Sequence, residues 1–265
     1  VCCPSATFAV WSAAWLHGAA ASDDALDALL AWGEAHEVVA ADEPTADTFD
    51  VPVTGNRPAT LARLLAALRR HGATGAHLVL PVPGDPRGLG GGGPFTEAAL
   101  RAGEAVLLAG LGYGVVPEIL AEGLLRWTVF PLATSPVPEY RALGEAEHAM
   151  TDAIRDSAGA LQALDIARDR PGVRDELSAR LRSAPRLDWP AGTPGRALRV
   201  LQRATEVNAI LALAHADDPG GAVSASAAAQ RAQALRPLAT AVRTAQCAAV
   251  NEAVRVFADQ ADRQP

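Results

Sequence analysis

Apolar and polar positions alternate with a helical period through much of this chain and with a strand period in a few short runs. From Pro58, Leu61, Leu64, Leu65 and Leu68 fall on one helical face and Arg63, Arg69 and Arg70 favour the other, with His71-Gly72 closing the helix. Earlier, Pro4 and Ser5 open a helix through Leu16, stopped by Gly18. Ser22, followed by Asp23 and Asp24, caps a second helix that runs to about Gly33 or His36. Weak strands are expected near Val38–Ala40 and Phe49–Val53. His77–Val82 reads as a strand because its apolar run is short and cut by Pro81 and Pro83. Glu104–Ala109 and Leu124–Leu132 are further strands, expected to pair as a hairpin across a long loop, with Gly110–Val116 extending the first or turning it.

After the proline-rich segment Pro131–Pro138 the strand period disappears. Helices are expected at about 139–164, 173–184, 194–216 and 223–259, and Pro237 should kink or split the last. The fold class is therefore α+β: a small mixed sheet with helices over 1–135 and a helical bundle over 139–265.

Charge sharpens this division. The chain has 265 residues, no Lys and a net charge of −7. Residues 1–138 hold 14 acids and 7 Arg, and the remainder balances at 16 of each. An acidic first half argues against nucleic-acid binding, which needs a basic field. The absence of Lys excludes a Schiff-base or P-loop lysine. Three Cys without a CxxC support neither a disulfide scaffold nor a zinc ribbon and suit reduced thiols in a cytoplasmic protein. No membrane span is expected. The first 20 residues lack a basic start and are broken by Trp11, Trp15 and His17, so they read as a helix rather than a signal peptide.

Three groups could carry chemistry. The first is the glycine-rich loop Gly84-Asp85-Pro86-Arg87-Gly88-Leu89-Gly90-Gly91-Gly92-Gly93, which lies between a strand and a short helix that Thr96 can cap. Such a loop can turn backbone N–H groups toward a small anionic ligand, with Arg87 as cation and Asp85 to orient it or hold a metal. The spacing fits neither a P-loop nor a dinucleotide fingerprint, and a plain flexible loop is the favoured reading. The second is Glu145 with His148, which share a helix face as in di-iron bundles, although the second copy that such a centre needs is missing. The third is Asp217-Asp218 beside His215, a carboxylate pair better explained as a helix end and turn. Arg196, Arg199 and Arg203 form a basic helix stripe whose default role is a solvated face. Gly-x-Ser-x-Gly does not occur, and no cofactor is implied.

The stretches Leu78–Phe95, Asp217–Ala225 and Ala234–Leu238 resemble a family of hypothetical proteins from high-GC Gram-positive bacteria. The resemblance covers most of the chain. It implies no activity, so no catalytic residue is carried over. The sequence thus points first to a non-enzymatic binding or interaction protein with a protein partner or a homo-oligomeric state, and second to a phosphate- or nucleotide-ligand protein using loop 84–93.

Overall fold

The computed structural model describes residues 2–134, 136, 140–163, 172–216, 225–261 and 263. Nine helices and five strands lie among them: α1 (Pro4–Leu16), α2 (Ser22–Leu29), β1 (Ala35–Ala40), α3 (Glu43–Phe49), α4 (Leu61–Arg70), β2 (Gly75–Val79), α5 (Pro94–Ala102), β3 (Ala105–Ala109), β4 (Tyr113–Ala121), β5 (Leu124–Pro131), α6 (Leu143–Ala163), α7 (Val173–Ser183), α8 (Gly195–Ala216) and α9 (Ala225–Ala261). The chain divides into two compact units. One comprises residues 2–140, 185–194 and 250–265; the other takes 141–184 and 195–249. The division falls inside α9.

The first unit is built on a mixed sheet of order β1-β5-β4-β3-β2, with β1 parallel to β5 and every other pair antiparallel. The expected direct pairing of the 104–109 and 124–132 strands is corrected here. β4 lies between them, because the turns at Gly110–Gly112 and at Glu122-Gly123 make two tight hairpins from what reads as one long loop. The expected strand near Phe49–Val53 is also corrected. Asp42 accepts a hydrogen bond from the Thr45 amide at 2.9 Å and, with Pro44 in the first turn, starts helix α3, which ends at Phe49, so that of the expected strand only Val53 bridges Ala40.

α1 is buried on all sides from Pro4 to Trp15, as its nearly uniform run of small and apolar residues requires. It packs against β2 and α2. Several of its polar groups are bonded, although the Ser5 hydroxyl is buried without a hydrogen-bond partner among the described residues. The Ser5 amide donates to Glu104 Oε2 at 2.8 Å, Trp32 Nε1 donates to Thr7 Oγ1 at 2.9 Å, and Arg69 donates to the Trp15 carbonyl at 2.8 Å while its guanidinium lies 3.9 Å from the Trp15 ring centre. Burial raises the Glu104 carboxyl above its ordinary range despite the hydrogen bonds it accepts.

His36 is a second buried polar centre. Its Nε2–H is shared by the carbonyls of Leu29 at 3.0 Å and Gly33 at 3.1 Å, while Nδ1 accepts from Trp127 Nε1 at 2.9 Å. Both ring nitrogens are used by the neutral tautomer, and a second proton has nowhere to go without breaking the Trp127 bond. Burial lowers the pKa accordingly. A histidine depressed below the ordinary value of about 6.5 contributes stability in full above that pH. The contribution is lost as pH falls from there toward the folded-state value, because only the unfolded chain takes up the proton. In an NMR titration the His36 ring is expected to stay neutral at and just below the ordinary histidine value of about 6.5. A His36 midpoint at or above that value would refute this account.

Both edges of the sheet are partly paired. On the β1 side, Val38 and Ala59 exchange backbone hydrogen bonds at 2.8 and 2.9 Å, and Ala40 bonds Pro52 and Thr54 in the same way. On the β2 side the partner is a side chain. The Leu78 amide donates to Asn251 Oδ1 at 2.9 Å, and Asn251 Nδ2 donates back to the Leu78 carbonyl at 3.3 Å. A primary amide offers the same donor and acceptor pair as a peptide group, so Asn251 on α9 completes the ladder at this point.

The second unit is helical. Leu143, Ala146 and Met150 of α6, Val200, Leu201 and Ala204 of α8, and Leu235, Leu238 and Val242 of α9 supply its core. Pro237 does not split α9, which runs unbroken through it. Pro237 leaves the Gln233 carbonyl without its helical donor, and the neighbouring Ala234 carbonyl takes a hydrogen bond from Ser157 Oγ at 3.1 Å.

Candidate functional site

The glycine-rich loop is fixed at its centre. Leu89 is buried with Phe95, Ala99, Leu107 and Val116, and Gly88 approaches Val79. Gly90 has φ +76° and no room for a side chain, since a Cβ there would collide with the Thr134 carbonyl and with Pro136. Gly84, Gly91 and Gly93 also take positive φ and, with Gly92, face open space. Arg87 grips Asp85 through two hydrogen bonds, Nε to Oδ1 at 2.6 Å and Nη2 to Oδ2 at 2.9 Å. An anion approaching Arg87 therefore meets the Asp85 carboxylate as well. Thr96 does not cap the following helix. α5 begins at Pro94 with Gly93 in the cap position, and Thr96 Oγ1 reaches back to the Gly91 carbonyl.

Glu145 and His148 are both exposed on α6, and His148 pairs with Asp152 at 3.2 Å. Asp217 and Asp218 lie outside the described residues, as does the His215 side chain. Among the described residues no three of His, Cys, Asp and Glu gather to hold a metal ion. Arg196, the first of the basic stripe, is engaged by Glu147 at 2.8 Å. The paired thiols at the start of α1 are held in the protonated form. Burial pushes Cys2 up to about 11, and burial with the nearby Glu104 charge lifts Cys3 well above its usual value.

The feature that sequence reading missed is the tip of the β4–β5 hairpin. Glu118, Ile119, Leu120 and Ala121 are all exposed, Ile119 to 75% and Leu120 to 39%. Ile119 pairs Leu125 and Ala121 pairs Leu124, which leaves Leu120 as the extra residue of a bulge next to the Glu122-Gly123 turn. Gly33 abuts Gly123 at the same end of the sheet, with exposed Leu30 and Glu34 on either side of it in the chain. Glu122-Gly123 between two apolar runs was the available sequence signal for this turn.

Models of the two domains of Rv1486c-like proteins match this chain, the N-terminal domain over residues 5–142 and the C-terminal domain over 144–247. The chain belongs to the Rv1486c-like protein family. Its relatives include the uncharacterized protein Rv1486c of Mycobacterium tuberculosis (strain ATCC 25618 / H37Rv), 39% identical over 280 residues that cover 94% of this chain and 96% of the relative. The uncharacterized protein ML1804 of Mycobacterium leprae is 34% identical over 287 residues with the same coverage. MAV321 of Mycobacterium avium, likewise named an uncharacterized protein, is 31% identical. No solved structure matches. These relatives are mycobacterial, in keeping with the high-GC Gram-positive resemblance, and none of their names states an activity. The Rv1486c-like C-terminal model stops at residue 247, just short of Asn251, whose amide closes the sheet. No helix among the described residues is long and apolar enough to cross a membrane.

Proposed function

We propose that this Rv1486c-like chain is a non-enzymatic interaction protein of the cytoplasm that docks a protein partner at the tip of its β4–β5 hairpin. The exposure of Ile119 and Leu120 side by side carries the reading. Two adjacent large aliphatic side chains in water gain free energy from being covered. Their surroundings define what covers them. Glu118, Glu122 and Glu34 border the tip, and all three are exposed. An acidic border repels anionic lipid surfaces and nucleic acid and suits a protein pocket that is apolar within and rimmed by Arg or Lys. Strand addition is disfavoured as a docking mode, since the sheet edges are already paired at Val38, Ala40 and Leu78. The protonated thiols of Cys2 and Cys3 suit a reducing compartment.

A photo-crosslinking residue placed at 119 or 120 in the source cells should capture one protein, and the same residue at exposed Arg155 should not. The captured contact should map to an apolar segment flanked by basic residues. The adduct should fall several-fold in the double variant Glu118→Lys, Glu122→Lys and weaken with added salt. A second copy of this chain as the captured protein, or an adduct indifferent to charge reversal, would defeat the proposal.

A further inference from the structure

A cleft of about 520 Å³ lies beside the β1 edge, between the end of α3, the loop that follows it and the start of α4. Four charged side chains line it: Asp47 and Asp50 from the α3 end, Arg57 from the loop and Arg63 from α4. Arg63 and Asp50 pair at 3.1 Å. Among the described residues Arg57 and Asp47 have no partner, so the cleft offers one uncommitted guanidinium and one uncommitted carboxylate.

The walls are set in advance. Asp50 ends α3 in the left-handed region at φ 53°, the only described residue other than glycine with positive φ, and the Val51 amide bonds the Ala46 carbonyl at 3.2 Å. On either side of Arg57 the loop is tied to β1, through Thr54 to the Ala40 carbonyl at 3.3 Å and through Ala59 to Val38 at 2.9 Å. A loop fixed at both ends presents Arg57 with little further ordering on binding. The start of α4 adds a field that favours an anion, set against the Asp47 and Asp50 carboxylates and the C-terminal end of α3. α4 starts at the cleft rim without a side-chain cap from Thr60 and without an acid in its first turn, and no described group accepts from the Leu61 or Ala62 amides.

We propose that this cleft binds a small oxyanion, a phosphate monoester or a carboxylate, through Arg57, with Arg63 drawn from Asp50 to share it and Asp47 taking a hydroxyl or ammonium donor on the same molecule. Guanidinium groups recognise either oxyanion through paired N–H donors. This site is separate from the hairpin tip and from the glycine-rich loop.

The test is calorimetric titration of the full chain with ribose 5-phosphate, inorganic phosphate and citrate. Saturable binding is expected, weakened about ten-fold or more by Arg57→Ala, equivalent to about 1.4 kcal/mol. Asp50→Asn should tighten it several-fold, because it frees Arg63 and removes a negative charge. Ile119→Ser and Arg87→Ala should leave it unchanged, so failure of the docking proposal and failure of this one are read separately. Binding of the two phosphates alone names a phosphate monoester, and binding of citrate alone names a carboxylate. Either supports the site. No saturable heat with any of the three, or binding that survives Arg57→Ala, overturns it. Arg57 is exposed, so its replacement leaves the fold intact.

Discussion

Trp127→Ala is expected to lower the unfolding free energy by about 4–5 kcal/mol. Trp127 is fully buried at the middle of β5, between Val38 of β1 and Pro117 of β4. Its ring packs 5.2 Å from that of Phe8 on α1. Truncation would leave a cavity where helix and sheet meet and would deprive His36 Nδ1 of its donor. Trp127→Phe separates the two effects. Most of the buried surface is kept, so the loss should be about 1–2 kcal/mol, and with no donor at Nδ1 the His36 pKa should rise toward its ordinary value. Denaturant unfolding followed by far-UV circular dichroism measures both variants. A Trp127→Ala loss below about 2 kcal/mol would mean that the layer packs around some other side chain.

Asn251→Leu should cost about 2–4 kcal/mol, although the two side chains are close in size. The replacement leaves the amide and carbonyl of buried Leu78 facing an aliphatic group at a half-buried position. Each of those groups was satisfied by water in the unfolded chain and would be satisfied by nothing in the folded one. Asn251→Asp gives a finer test. Its carboxylate still accepts from the Leu78 amide but confronts the carbonyl with a second acceptor, so this variant should be weaker than the parent at neutral pH and recover when the carboxyl is protonated. Hydrogen exchange at the Leu78 amide should accelerate markedly in the leucine variant. Unchanged exchange there would show that the edge is protected by something other than Asn251.

The helices were legible because each has a local signature. The leucine face of α4, the prolines opening α1 and α5, and the long alanine-rich runs of α6, α8 and α9 place these elements within a few residues of where they lie. The sheet was less so. A strand such as β4 is defined by partners on both sides, and its Gly114 and Pro117 resemble a loop until those partners are known. α3 was missed for the opposite reason: a cap at Asp42 outweighs the apolar character of Phe49 and Val51. The glycine-rich loop was visible, but Leu89 as its anchor depends on Phe95, Leu107 and Val116, and Gly90 as its point of contact depends on Thr134 and Pro136, over forty residues away. Neither Asn251 nor Arg57 carries any mark in the sequence, since an amide on a polar helix position and an arginine in a loop gain their meaning only from what faces them.

The pairing of Leu78 with Asn251 spans 173 positions of the chain. A ribosome adds residues in order, so β2 is made long before the group that completes it. During synthesis the growing sheet carries an open side, where another nascent chain could add a strand. The last turns of α9 end this period of exposure. Assembly of the sheet is thereby timed to the arrival of the C-terminal helix, and its folding rate should be governed by that long loop closure rather than by the quick helices around it.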